Sequence, residues 1–187
     1  RLVVATNQND ILHRCLTTGE YRMDTVVPSI SPSMDIQISS NFERALFDAY
    51  DREGAAVAAL MDELKTKGGF TLSQGVLDNL RAQFDSGRVS EQETSTEITH
   101  SFATRAELLC PHSAIGVRVA DAQRDPNVPM ITLATAHPAK FPDAVHAATG
   151  ERPELPARMA DLFERPERVT RVANDLHALK QIVQERI

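Results

Sequence analysis

The sequence predicts a helix-rich α/β fold, part of a three-layer domain whose remaining strands lie upstream. Three observations lead there. Only two runs, Arg1–Thr6 and Met130–Ala134, have the short, apolar, β-branched character of buried strands. Amphipathic helix patterns with recognisable starts and stops fill most of the remainder. Two strands alone cannot be covered on both faces as the parallel strands of a doubly wound sheet are, so further strands are expected before Arg1.

Arg1–Thr6 runs into the polar cluster Asn7–Asp10, the pattern of a strand ending at a helix cap, and Asp10 or Asn9 is the expected N-cap of a helix through Ile11, Leu12 and Cys15. Thr25–Ser33, with its prolines and serines, reads as loop. Ser40-Asn41-Phe42-Glu43 has the spacing of a capping box, in which the serine oxygen takes an orphan N–H and the glutamate reaches back. Phe42, Leu46, Phe47 and Tyr50 then share a helical face, and Val57, Leu60, Met61 and Leu64 repeat that spacing up to a stop at Gly68-Gly69. A second capping-box pattern, Ser90-Glu91-Gln92-Glu93, opens a helix through Ile98 that extends toward Leu109. Pro111 suits the first position of the next helix, which carries Ile115, Val117 and Val119. After the Met130–Ala134 strand, a proline-punctuated loop leads into a helix near Val145. From Pro156, Met159, Leu162 and Phe163 mark a short helix, and Val169, Val172, Leu176, Leu179, Ile182 and Val183 mark a long amphipathic one. The long helix would offer a face to a partner helix.

Composition narrows the function classes. With 187 residues, 42% of them hydrophobic, the chain has enough material for one domain. A net charge of −6 and a pI near 5.5, with acids and bases interspersed, describe an ordinary soluble surface. No basic stripe suited to nucleic acid is present, since Arg165 and Arg168 are matched by Glu164 and Glu167. No apolar run approaches the ~20 residues that cross a bilayer. Cys15 and Cys110, far apart and without a secretory pattern before them, read as reduced thiols of a cytoplasmic protein. An N-terminal Arg without an initiator Met suggests that more chain precedes it.

Several chemistries lack their motifs. Cys110, His112 and His100 have no paired ligand spacing for zinc, so no metal site is expected. There is no G-x-S-x-G elbow for a hydrolase and no glycine-rich phosphate loop. Read locally, Asp10, Asn41 and Glu43 have the roles of helix-start residues, Thr135 of a strand-end threonine, His137 of a loop-fixing histidine and Lys140 of a solvated lysine.

Three separated segments add a more specific reading. They are Val4-Ala5-Thr6-Asn7-Gln8-Asn9-Asp10-Ile11-Leu12, the stretch Ser31–Arg44, and Leu133-Ala134-Thr135-Ala136-His137-Pro138-Ala139-Lys140-Phe141-Pro142-Asp143-Ala144-Val145. In order and content they resemble the C-terminal part of threonine synthases, which are fold type II pyridoxal-phosphate enzymes, over nearly the whole chain. The resemblance implies that Thr135 lies beside the ring nitrogen of pyridoxal 5'-phosphate. It also implies that His137, Lys140, Asn7, Asn41 and Arg44, with Asp35, are candidates for the side that receives O-phospho-L-homoserine. The family's Schiff-base lysine and phosphate loop lie upstream of the segment resembling Ala5–Leu12. No catalytic residue is therefore expected in residues 1–187, which taken alone should neither turn over substrate nor bind the cofactor. The sequence departs from the family at Cys110, where relatives typically carry an acid before the Pro-His pair; a cap or ion pair there comes into doubt. A related phospho-lyase, or a structural module without chemistry, remains the alternative.

Overall fold

The first residues already show how local patterning becomes tertiary structure. In the computed structural model, which describes residues 1–186, Leu2–Thr6 form strand β1 and pair in parallel with β4 (Phe84–Arg88), Leu2 opposite Phe84 and Thr6 opposite Arg88. Between them lie helix α1 (Ile11–Thr18), strand β2 (Glu20–Arg22), helices α2 (Phe42–Ala49) and α3 (Gly54–Lys67), strand β3 (Gly69–Thr71) and helix α4 (Gln74–Gln83). β2 and β3 pair antiparallel, Tyr21 opposite Phe70. Helices α5 (Glu91–Arg105), α6 (Pro111–Gln123), α7 (Pro142–Thr149) and α8 (Leu176–Gln184) follow. The expected helix-rich α/β class is thus observed, with its strands in two small sheets.

The chain divides into two compact units, Arg1–Glu154 and the segment from Leu155 onward. Within the first, the main core gathers Ile11, Cys15, Leu16, Tyr21, Leu46, Leu60, Leu64, Phe70, Leu77 and Leu80. The Tyr21 ring stacks on Phe42 at 5.5 Å and on Phe70 at 4.9 Å between centroids, and its hydroxyl accepts from the Ser39 N–H. Burial pushes the Cys15 thiol up to about 12, so it behaves as a small hydrophobe. A second cluster, Val89, Ile115 and Val119, with Val3, Ala5 and Met34 against it, joins β1 to α6. Gly87 makes that approach possible: a Cβ there would lie 2.7 Å from a Val119 methyl. The Ser90–Glu93 capping box forms in full, and Pro111 opens α6 as expected.

Other expectations are corrected. Met130–Ala134 is extended coil, because Pro129 precedes it and no neighbouring strand among the described residues takes its backbone groups; Ile131 and Leu133 are 81% and 79% exposed. Asp10 precedes α1 but makes no side-chain cap bond, its carboxylate being drawn to Arg14 at 2.8 Å and Arg88 at 3.5 Å. Ser40 does not cap α2. The N-cap is Asn41 in a helical conformation, which keeps its side chain from folding back, and its Oδ1 instead accepts from the Ser39 hydroxyl. In the second unit the long helix shrinks to α8, because Asp175 in extended conformation caps Ala178 and starts the helix there. Val169 and Val172 lie before it in irregular chain, and Met159 ends a single 3-10 turn, Ala157–Met159. Strands β2, β3 and β4 and helix α4 carried no strong sequence pattern; β4 reads Phe-Asp-Ser-Gly-Arg, mostly polar.

Candidate active site

The first turn of α6 builds the centre of the candidate site. Cys110 is the N-cap, its sulfur accepting from the Ser113 N–H at 3.4 Å, so a thiol performs the capping that an acid or hydroxyl usually would. The Ser113 hydroxyl lies 3.3 Å from that sulfur and 3.3 Å from Thr135 Oγ1, and it accepts from the Thr135 N–H at 3.1 Å. Cys110 and Ser113 are buried, whereas Thr135 is exposed on its far side. Thr135 is therefore fastened to α6 by two atoms rather than held in a strand, and it helps line a groove of about 660 Å³. Leu2, Val3, Met34, His112, Val119 and Met130 line that groove.

His112, 7% exposed, also faces it. Its Nε2 accepts from the Ser33 N–H at 3.2 Å, which places the ring proton on Nδ1, an atom that is buried without a partner. Burial first, then the positive charge of Lys140, lowers the imidazole pKa below 6.5, with Asp35 opposing. The Phe141 ring tilts on His112 at 4.5 Å, and the Lys140 ammonium sits 5.5 Å from the centre of Phe141. His137 caps the turn Pro138–Lys140, its Nδ1 accepting from the Ala139 N–H at 3.2 Å.

The remaining sequence candidates fall into two other places. Asn7, at the end of β1, is buried in a polar knot: its amide donates to Ser29, Ser31 and Asp35. Asn9 donates to the same Asp35 carboxylate, and Ser29 brings it both a backbone and a hydroxyl hydrogen. The knot fixes the loop that delivers the Ser33 N–H to His112, so Asn7 and Thr135 are linked through that loop and α6. Asn41 and Arg44 line a different hollow of about 390 Å³, with Val4, Leu12 and Phe84. The structure therefore brings Thr135 together with His112, sets His137 and Lys140 on the adjoining turn, and places Asn41 and Arg44 elsewhere.

Residues 113–183 match a family model described as the C-terminal region of threonine synthase. Similarity extends much further. The threonine synthase of Pseudomonas aeruginosa is 49% identical over 99% of this chain and 40% of its own length, and that of Corynebacterium glutamicum is 40% identical over 100% and 40%. The pyridoxal-phosphate-bound threonine synthase structure from Brucella melitensis superposes with a TM-score of 0.90 at 50% identity, covering 99% of this chain and 40% of that one. The yeast threonine synthase superposes at 0.83 with 34% identity.

The chain is thus similar along its length to threonine synthases, and over residues 113–183 to the region described as C-terminal in that family. It spans about 40% of the length of the curated relatives it matches. Of the residues around this groove, the sequence pointed to Thr135 as a candidate but not to Ser113 and His112, the side chains that hold its surroundings. The signal available was Cys-Pro-His-Ser at a helix start: the N-cap side chain takes the N–H of the third helical residue, which brings the Cys110 and Ser113 side chains together at the helix end. Among the described residues no cluster of His, Cys, Asp or Glu has the makings of a metal site.

Proposed function

We propose that the protein containing this chain is a threonine synthase, converting O-phospho-L-homoserine and water to L-threonine and phosphate with pyridoxal 5'-phosphate, a carbon–oxygen lyase acting on a phosphate ester. The supporting observation is the uncharged Thr135 hydroxyl, anchored to buried Ser113 on a residue that lines the groove. The fit to the cofactor rests on donor chemistry: Thr135, Ser113 and Cys110 are all uncharged, so the cluster offers a heteroaromatic nitrogen a hydrogen bond without a counter-charge. Bound there, pyridoxal phosphate would supply an electron sink, weaker than one with a protonated ring nitrogen and so less prone to transamination.

In this reading the chain holds and shapes rather than performs covalent chemistry. Thr135 sets the ring-nitrogen environment. Lys140 and His137, on one turn, offer donors to an anionic substrate, and Asn7 locks the loop whose Ser33 N–H meets His112. The lysine that carries the cofactor belongs upstream in the family, so residues 1–187 alone are inactive and the site is completed by the rest of the protein. Thr135→Asp in the full-length protein tests the assignment. Threonine formation is expected to fall and abortive transamination to rise; unchanged partitioning between the two products removes Thr135 from the ring-nitrogen role.

A further inference from the structure

The turn that carries His137 and Lys140 is closed by its own hydrogen bonds. The Lys140 N–H donates to His137 O at 3.0 Å, the Phe141 N–H to Pro138 O at 2.9 Å and the Ala139 N–H to His137 Nδ1 at 3.2 Å. These bonds shape the turn. Its side-chain link to α6 is Phe141, half-buried, whose ring tilts 46° on that of His112 with 4.5 Å between centroids. The imidazole beneath is held firmly. It stands in the first turn of α6, it is buried, and its Nε2 accepts the Ser33 N–H. The loop around Ser33 is pinned in turn by Asp35, which accepts the Ser29 N–H, and by the Glu91 carboxylate, which accepts the Ile30 N–H at 3.0 Å.

An exposed lysine ordinarily loses much rotamer freedom when it binds an anion. Lys140 is exposed, yet its ammonium lies over Phe141, 5.5 Å from the ring centre, where the negative face of the ring attracts it. The acid nearest in sequence, Asp143, pairs with Arg152 at 3.2 Å rather than with this lysine. The ring occupies one side of an ammonium that has three N–H groups, so donors remain on its open side. We propose that Phe141, supported by His112, is a positioning residue that sets the Lys140 ammonium in advance for an anionic group of the substrate. This rests on the reading of Lys140 as a substrate-side donor, and goes beyond it by naming the residues that place the charge. Placement in advance removes ordering that would otherwise accompany binding, so its loss shows in KM more than in kcat.

The test is a double-mutant cycle in the full-length holoenzyme, read by steady-state kinetics with O-phospho-L-homoserine. Phe141→Leu keeps an apolar side chain on His112 but removes the ring face. It should raise KM about two- to fivefold, the size of one exposed cation–π contact, with the smaller change in kcat. Phe141→Tyr, which keeps the face, should reverse most of that rise. Lys140→Met alone should raise KM about tenfold or more, as for a lost charged hydrogen bond, and in that background Phe141→Leu should have no further effect. His112→Gln keeps an acceptor for the Ser33 N–H but no ring under Phe141. It should repeat the rise with the same dependence on Lys140, and it serves if the leucine variant does not fold; no rise with His112→Gln overturns the part given to His112. A KM that Phe141→Leu leaves unmoved, lowers, or raises equally in both backgrounds overturns the positioning role and leaves Lys140 as a donor. An unmoved KM in Lys140→Met removes the donor role itself.

Discussion

His112 shows how one buried side chain can serve both fold and site. Its imidazole must be neutral to accept the Ser33 N–H through Nε2, and burial together with Lys140 favours that form. The unfolded chain takes up a proton near 6.5 while the folded chain resists it. The stabilisation is therefore complete above about 6.5 and is lost as pH falls from there toward the depressed folded value. Thermal unfolding followed from pH 8 to 5 should show a decline in Tm that His112→Gln, with an uncharged acceptor, flattens. His112→Ala should cost about 2–3 kcal/mol above about pH 6.5, the difference from wild type narrowing as pH falls, because it leaves the Ser33 N–H unmatched and a void against Phe141. Equal pH slopes for wild type and the glutamine variant would show that this imidazole does not govern the acid limb. Nothing in the sequence marks His112 for this role: its acceptor function depends on Ser33, distant in sequence and held in place by the Asn7–Asp35 knot. The anchoring of Thr135 was not legible from its neighbours in sequence, since its hydrogen-bonding partner Ser113 lies 22 residues earlier on α6.

At the scale of elements, local chemistry was readable and pairing was not. The Ser90–Glu93 box declares itself because every bond in it spans three residues; Ser90→Ala should cost about 1 kcal/mol, measurable by urea denaturation. The similar pattern at Ser40 failed because Asn41 begins the helix and is met by Ser39. Strand β4 was invisible for the opposite reason: its residues are ordinary loop residues, and its strand character comes from β1 across the ladder and α6 above it. Gly87 is the hinge of that arrangement. Gly87→Ala should destabilise by about 1–3 kcal/mol through its 2.7 Å clash with Val119, and Val119→Ala in the same chain should recover part of the loss even though it removes buried methyls. Additive losses in the double variant would mean that β4 and α6 do not meet as described.

Across the first unit as a whole, apolar surface is distributed unevenly. The cluster around Tyr21 and Phe70 is closed, whereas Leu2, Ile131 and Leu133 are 60%, 81% and 79% exposed beside the Thr135 groove, and among the described residues β1 pairs with β4 alone. An open strand edge next to exposed leucines and isoleucine is what a soluble surface normally avoids. A chain carrying such a face on its own should self-associate. Ile131→Lys with Leu133→Lys removes apolar side chains that make little use of the core, so stability should change by no more than about 0.5 kcal/mol. Light scattering of residues 1–187 should then show a lower apparent mass at the same concentration, with an unchanged urea midpoint. In the full-length protein the proposed completion of the site from upstream would bury these positions, so the same pair of substitutions should there lower both stability and retained pyridoxal phosphate. Equal tolerance in both settings would mean that this face stays open to solvent in the whole protein.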